Sequence, residues 1–345
     1  MRGRERFAPG GMAMRSIWTS RFVLVLIAVG ANLAVGEATA RLVGIRPITP
    51  PLEPVRVADE DSLLGWVNRP GVYSSWDTGY VPMTFWPEGR RATRSSPEEP
   101  GPANARVALV GGSFTQGFGV ADERTFGWLL DTRFAGLAVD NYGTGGYGTY
   151  QSLLLLERLF QSAGFRPGLV VYGFAAFHGE RNVGAYRHVV TLRTQVGRRF
   201  SPPHVLSEQG AVVHKEPFYV EPWPLEDTSA LISLIHLGQL SWTLRGREQQ
   251  IELVTRHLLA RMDQLARDNE SRLLVAILDD QPRPEPYTPF LQDQGIAFVN
   301  CTHPGYQDEP RLRLGRTRHP SHVLHAEWAD CIAAWITGHL PENAR

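Results

Sequence analysis

An α/β fold with a parallel sheet covered on both faces is predicted by three observations. Val107–Val110 is a short apolar run that stops abruptly at Gly111-Gly112, as a buried strand does at a tight exit turn. Similar runs recur at Leu137–Asp140, Leu169–Gly173, Leu273–Leu278 and Ile296–Val299. The stretches between and after them carry apolar residues at helical spacing, and strands alternating with helices give parallel sheets. The spacing predicts a helix near Thr125–Phe134 capped by Thr125. It predicts others over about Thr149–Phe160, through Ile251, Val254, Leu258, Met262 and Leu265, and over about Val323–Ile336.

The chain ahead of this domain reads as two further parts. Residues 1–41 form the first: the first 21 hold Arg2, Arg4, Arg6, Arg15 and Arg21 against the single acid Glu5, and the uncharged Phe22–Val35 follows. An arginine-rich flank stays cytoplasmic, so a retained single-pass anchor in the cytoplasmic membrane would leave the main domain extracytoplasmic, in the periplasm of a bacterium. The alternative is a secreted chain, because Ala38-Thr39-Ala40 fits a signal cleavage site. Residues 42–105 are rich in proline, tryptophan and glycine and read as a non-helical lead-in with short strands. The main domain then runs over 106–340, interrupted at about 175–226 by an aperiodic insertion at the carboxyl edge of the sheet, where such inserts shape a cleft or lid.

Composition narrows the partners. The 35 basic and 35 acidic residues cancel, and only Lys215 of the basic set is lysine; no basic stripe marks a nucleic-acid binder. Export gives the only two cysteines, Cys301 and Cys331, a reason to pair. The other reading is two buried thiols.

Ser113 follows the first strand directly, where open α/β sheets keep their ligands. It is either a nucleophile or a capping serine in a plain turn. Gly111-Gly112-Ser113-Phe114-Thr115-Gln116-Gly117 resembles the first block of the SGNH (GDSL-type) hydrolase family. Asn141-Tyr142-Gly143-Thr144-Gly145-Gly146 resembles the second block, and Leu169–Phe174 leads to Ala175-Ala176-Phe177-His178 at the third. His319-Pro320-Ser321 is similar to the fifth block. The resemblance spans about Arg106 to Ile336, and the Leu-Gly-Trp and Gly-Arg-Arg elements of the lead-in resemble exported members. It implies a three-layer flavodoxin-like fold, Ser113 as nucleophile, His319 as base, and an oxyanion hole from Ser113, Gly146 and His178. No cofactor or metal is implied, and His319, His322 and His325 lack the neighbouring acids of a metal site.

Three departures bear on activity. Gly112 stands where the family has Asp, a position that supports the turn. His178 stands near the place of the missing block-three asparagine. Arg316-Thr317-Arg318 occupies the stretch that should hold the acid orienting the histidine, a group that in serine proteases is worth about 10⁴ in kcat. Asp308, Glu309 and Asp280 are the candidates to supply it from another loop. The expected substrate is a small-molecule or glycan acyl ester of the cell envelope, cleaved by an esterase or deacetylase. The alternatives are a degenerate glycan-binding or scaffold protein and an O-acyltransferase using the same residues.

Overall fold

The computed structural model describes residues 11–48, 57–75, 81–97, 105–195, 202–218, 220–279, 287–315 and 317–340. The chain divides into two compact units. One comprises Met1–Pro51 with Glu221–Thr243, the other Leu52–Val220 with Leu244–Arg345.

The first unit contains helix α1 (Gly11–Leu42). Its apolar stretch carries no acid between Arg21 and Glu37, and over Arg21–Leu42 it is long and apolar enough to cross a membrane. The second unit opens with two antiparallel hairpins, β1 (Ala58–Asp61) with β2 (Gly65–Asn68) and β3 (Gly71–Ser75) with β4 (Val81–Phe85). The domain then follows as β5 (Ala105–Gly111), α2 (Ser113–Gln116), α3 (Phe126–Arg133), β6 (Leu137–Asn141), α4 (Thr149–Gln161) and β7 (Leu169–Ala175). Thr125 caps α3 by accepting from the Trp128 backbone N–H.

The aperiodic stretch after β7 folds into α5 (His178–Asn182), α6 (Tyr186–Gln195) and the hairpin β8 (His204–Glu208) with β9 (Ala211–Lys215). It is followed by α7 (Ala230–Thr243), in the first unit. The second unit resumes with α8 (Ile251–Asp268), β10 (Arg272–Asp279), α9 (Thr288–Asp293), β11 (Ala297–Asn300) and α10 (His322–His339).

Five strands form one parallel sheet in the order β11-β10-β7-β5-β6. Read from the other edge this is the flavodoxin-like order 2-1-3-4-5, in which the first strand, β5, marks the switch point where ligands bind. The period-two alternation of each strand sorts the core into two layers. Ala108, Val110, Val170, Tyr172, Phe174, Val275 and Ile277 pack on one side with α4 and α8. Val107, Leu109, Val171, Leu274, Ala276 and Leu278 pack on the other with α3 and α10. The three-layer α/β architecture expected from the sequence is the one observed.

Cys301, just past β11, is joined by a disulfide to Cys331 on α10, with a Cα–Cα distance of 5.8 Å. Asp61 and Arg158 form a two-point ion pair (2.7 and 2.8 Å) that ties the first hairpin to α4, and the guanidinium holds the carboxyl below its usual range.

Among the described residues, burial disfavours the charged form of four histidines. Burial pushes His188 and His325 down to about 3, His204 to about 4, and His178 well below the usual imidazole value of 6.5. The unfolded chain takes up protons at these rings below 6.5 while the folded chain does not, so stability is lost as pH falls from 6.5 toward the folded values. The denaturant midpoint is therefore expected to drop steadily between pH 7 and pH 4.5; a midpoint flat over that window would contradict the neutral burial of these rings.

Candidate active site

The turn that carries Ser113 is made by close backbone packing. Gly111 ends β5, and a Cβ there would press on Gly173 O at 2.8 Å on the neighbouring strand. Gly112 then caps the one-turn helix α2, which closes at Gly117 in the left-handed conformation (φ 73°). Ser113 is the first residue of that turn, so its N–H has no intrahelical acceptor. Its side chain is 7 % exposed.

His319 approaches from a segment two hundred residues later. Its Nε2 lies 3.0 Å from Ser113 Oγ, within hydrogen-bond reach for proton transfer. Backbone contacts hold the segment: the Leu314 N–H donates to His319 O (2.6 Å), and Ser321, whose Oγ caps α10 through the Val323 N–H (3.2 Å), also donates to Arg311 O (2.6 Å). The imidazole rests among rings, with centroids 4.9 Å from Phe118 and 6.0 Å from Phe114.

The loop 143–148 lies directly against α2. A side chain at Gly143 would run into the backbone nitrogen of Gln116. The Asn141 amide donates to Thr115 O (2.7 Å) while its Oδ1 accepts from the Gly143 N–H (2.8 Å). Asn68, from β2, joins the same parts: its Nδ2 donates to Gly143 O (2.9 Å) and its Oδ1 accepts from Gln116 Nε2 (2.7 Å). Trp66 Nε1 donates to Gly145 O (2.8 Å). The carbonyl of residue 145 and the N–H of Gly146 belong to one planar trans peptide and point in opposite directions. Holding the carbonyl therefore aims the Gly146 N–H away from the indole. Gly146 itself has φ 85°, and a Cβ there would meet the Trp66 ring at 2.8 Å.

His178 stands at the start of α5, fully buried. The Ala175 N–H points at its Nδ1 (3.5 Å) and the Tyr172 hydroxyl lies 2.8 Å from the same atom. Nδ1 as acceptor leaves the proton of the neutral ring on Nε2. That atom is buried without a hydrogen-bond partner among the described residues. A Cβ at Gly112 would meet His178 Nε2 at 2.8 Å, Arg181 Nη1 at 2.9 Å and Tyr147 O at 3.0 Å. The space of an aspartate side chain is thus filled by an imidazole and a guanidinium, which accounts physically for glycine at this position.

The candidate acids fare differently. Glu309 does not reach His319, because its carboxylate is taken up by His303 Nε2 (3.4 Å) and Arg311 Nε (3.0 Å). Asp308 is exposed on the same 3-10 turn and forms no bond to His319. Asp280 lies outside the described residues. His322 is exposed on the first turn of α10, and His325 is buried, accepting from the Phe126 N–H at 3.3 Å and stacked on the Phe126 ring. No group of three or more metal-ligating side chains occurs among the described residues.

Sequence reasoning missed four residues of the site: Trp66, Asn68, Arg91 and Arg181. Arg91 is fully buried, donating to Gln116 O (3.1 Å) and Val120 O (2.7 Å) and paired with Asp122; burial pushes it down to about 9. Arg181, lowered to about 10 by burial, donates to Tyr147 O (2.6 Å). The Leu-Gly-Trp and Gly-Arg-Arg elements of the lead-in marked the neighbourhoods of Trp66 and Arg91; no motif marked Asn68 or Arg181.

No family model and no curated protein matches the chain. Several solved structures resemble it. TesA is 16 % identical with a TM-score of 0.39, over 68 % of this chain and 98 % of that one. A member of the lipolytic protein G-D-S-L family from Veillonella parvula is 10 % identical (TM-score 0.40; 67 % and 98 %). The psychrotrophic esterase EstA from Pseudoalteromonas sp. is 11 % identical (TM-score 0.40; 68 % and 99 %). At such TM-scores the likeness carries no argument for this chain's chemistry.

Trp66→Phe removes the donor to Gly145 O while keeping an aromatic ring over Gly146. It is expected to lower kcat on an acyl ester about tenfold with KM nearly unchanged, a fraction of what a whole oxyanion donor is worth; steady-state kinetics check the split.

Proposed function

We propose that the chain is a membrane-tethered, extracytoplasmic serine hydrolase of the SGNH type that cleaves acyl esters. The observation that carries this reading is the 3.0 Å approach of His319 Nε2 to Ser113 Oγ at the carboxyl end of the first sheet strand. A serine hydroxyl needs such a base to attack at neutral pH. His319 takes the Oγ proton as Oγ bonds to the acyl carbon. The oxygen of the tetrahedral intermediate is stabilised by the N–H groups of Ser113 and Gly146 and by His178 Nε2–H. His319 then gives its proton to the departing alkoxide, leaving an acyl-serine. Water delivers the acyl group as a carboxylic acid in a hydrolase; a sugar hydroxyl would accept it in an O-acyltransferase.

The substrates this reading favours are O-acylated glycans of the envelope or small acyl esters, since the site is bracketed by the lead-in and the inserted segment rather than by a basic surface. With Glu309 bonded to His303 and Arg311 and Asp308 exposed, Asp280 is the remaining candidate to orient His319. The displacement of those two acids also favours a rival reading, a glycan-binding SGNH-like domain without turnover.

One comparison separates the two. The full chain in detergent is expected to label with a fluorophosphonate and to hydrolyse p-nitrophenyl acetate, and Ser113→Ala or His319→Ala to lower the rate by at least about 10³-fold. Wild-type labelling no greater than that of Ser113→Ala would leave the binder. His178→Ala is expected to reduce kcat about 10²-fold with little change in KM, as for other single oxyanion donors; a change confined to KM would remove His178 from the oxyanion hole.

A further inference from the structure

We propose that α7 is an interfacial helix whose open face lies in the headgroup and acyl boundary of the bilayer that α1 crosses, so that the occupant of this face is lipid. The inference rests on the reading of α1 as a membrane span.

The N-terminus of α7 is fastened to the last turns of α1. The Glu37 carboxylate accepts from Ser229 Oγ (2.8 Å) and from the backbone N–H groups of Ala230 (3.0 Å) and Leu231 (2.9 Å). Arg41 donates to Thr228 O (2.9 Å), and Gly36 leaves room for the Leu231 side chain, 3.0 Å from where a Cβ would be. Beyond this crossing the two helices part, because residues 21–35 of α1 are all exposed. The clamp sets the level of α7: it begins beside Glu37, close to the extracytoplasmic end of the apolar span.

Across the helix the two faces of α7 differ. Ala230, Ser233, His236 and Leu240 are buried. Ser233 donates to Glu226 O (2.8 Å) and accepts from the Ile48 N–H (3.2 Å), while His236 pairs with Glu226 at 3.0 Å. The opposite stripe, at positions 231, 234, 235, 238 and 242, contains only leucine, isoleucine, glycine and tryptophan. Leu234 is 40 %, Ile235 51 % and Trp242 70 % exposed. Leu225, in the loop before the helix, and Leu42 and Val43, after the clamp, are also exposed at 65 %, 87 % and 70 %. An apolar stripe with a tryptophan at one end, starting where a span ends, has the composition of a helix lying in the membrane interface. Running back along α1 would cover residues 21–35, and they are open.

The test uses the full chain in vesicles of phosphatidylethanolamine and phosphatidylglycerol, with an NBD label on Ile235→Cys or, separately, on Val29→Cys in α1. Label at 235 is expected to emit blue-shifted and to be quenched at least twofold more by shallow doxyl lipid than by deep doxyl lipid, whereas label at 29 is quenched more by the deep one. Quenching at 29 without quenching at 235 overturns the inference and leaves the span standing. Quenching at 235 without quenching at 29 supports docking of α7 while removing the span, and absence at both sites removes both. Blue-shifted emission at 235 that doxyl lipid does not quench, as a second copy of the chain would cause, also overturns it.

Discussion

The site depends on two backbones meeting without side chains between them. Gly143 sits against the nitrogen of Gln116, and this contact lets the loop after β6 lie on the helical turn after β5. Asn141 and Asn68 then lock the arrangement, each bonding to both partners. Neighbouring parallel strands bring the two loops to the same edge of the sheet, but the glycine sets how near they come. A nucleophile and an oxyanion donor have to be held within a fraction of an ångström to act on one carbonyl, and amide-to-backbone bonds among buried groups are stiffer than contacts between long side chains.

The lead-in belongs to this machinery. Its hairpin β1–β2 supplies Trp66 to the Gly145 carbonyl of the loop after β6, and Asn68 to the Gly143 carbonyl and the Thr144 hydroxyl of the same loop. Arg91 satisfies carbonyls at Gln116 and Val120 that the tight turns leave without backbone donors. A buried guanidinium is costly unless its donors are used, and here they are spent on the strands and turns that flank Ser113. The candidate site is therefore assembled from residues on both sides of position 105.

Much of the fold could be read directly from residue pattern. The sheet strands are apolar runs bounded by glycine or by polar turns, and each was placed to within one or two residues. Helix α7 escaped notice because it is apolar on nearly every side: Ala230, Leu231, Ile232, Leu234, Ile235, Leu237 and Leu240 leave little period to detect. Ser113 and His319 were legible because their chemistry demands a particular neighbourhood of glycine and proline. The roles of Asn68 and Arg91 were not, since neither an amide at the end of a short strand nor a guanidinium in a Gly-Arg-Arg element shows which groups it bonds, and their partners lie 75 and 25 residues away. Nearness in sequence also misled: Glu309 is ten residues from His319, yet the turns between them point its carboxylate at His303 and Arg311.

The disulfide separates the two halves of the site chemically. It ties Cys301 to Cys331 across 30 residues, and the segment so enclosed contains the 3-10 turns, His319 and the first turns of α10. Closing that loop removes much of the freedom of the segment that carries His319, whereas Ser113 and the loop after β6 follow directly on strands of the central sheet. The disulfide therefore constrains the His319 side of the candidate site and leaves the Ser113 side to the sheet.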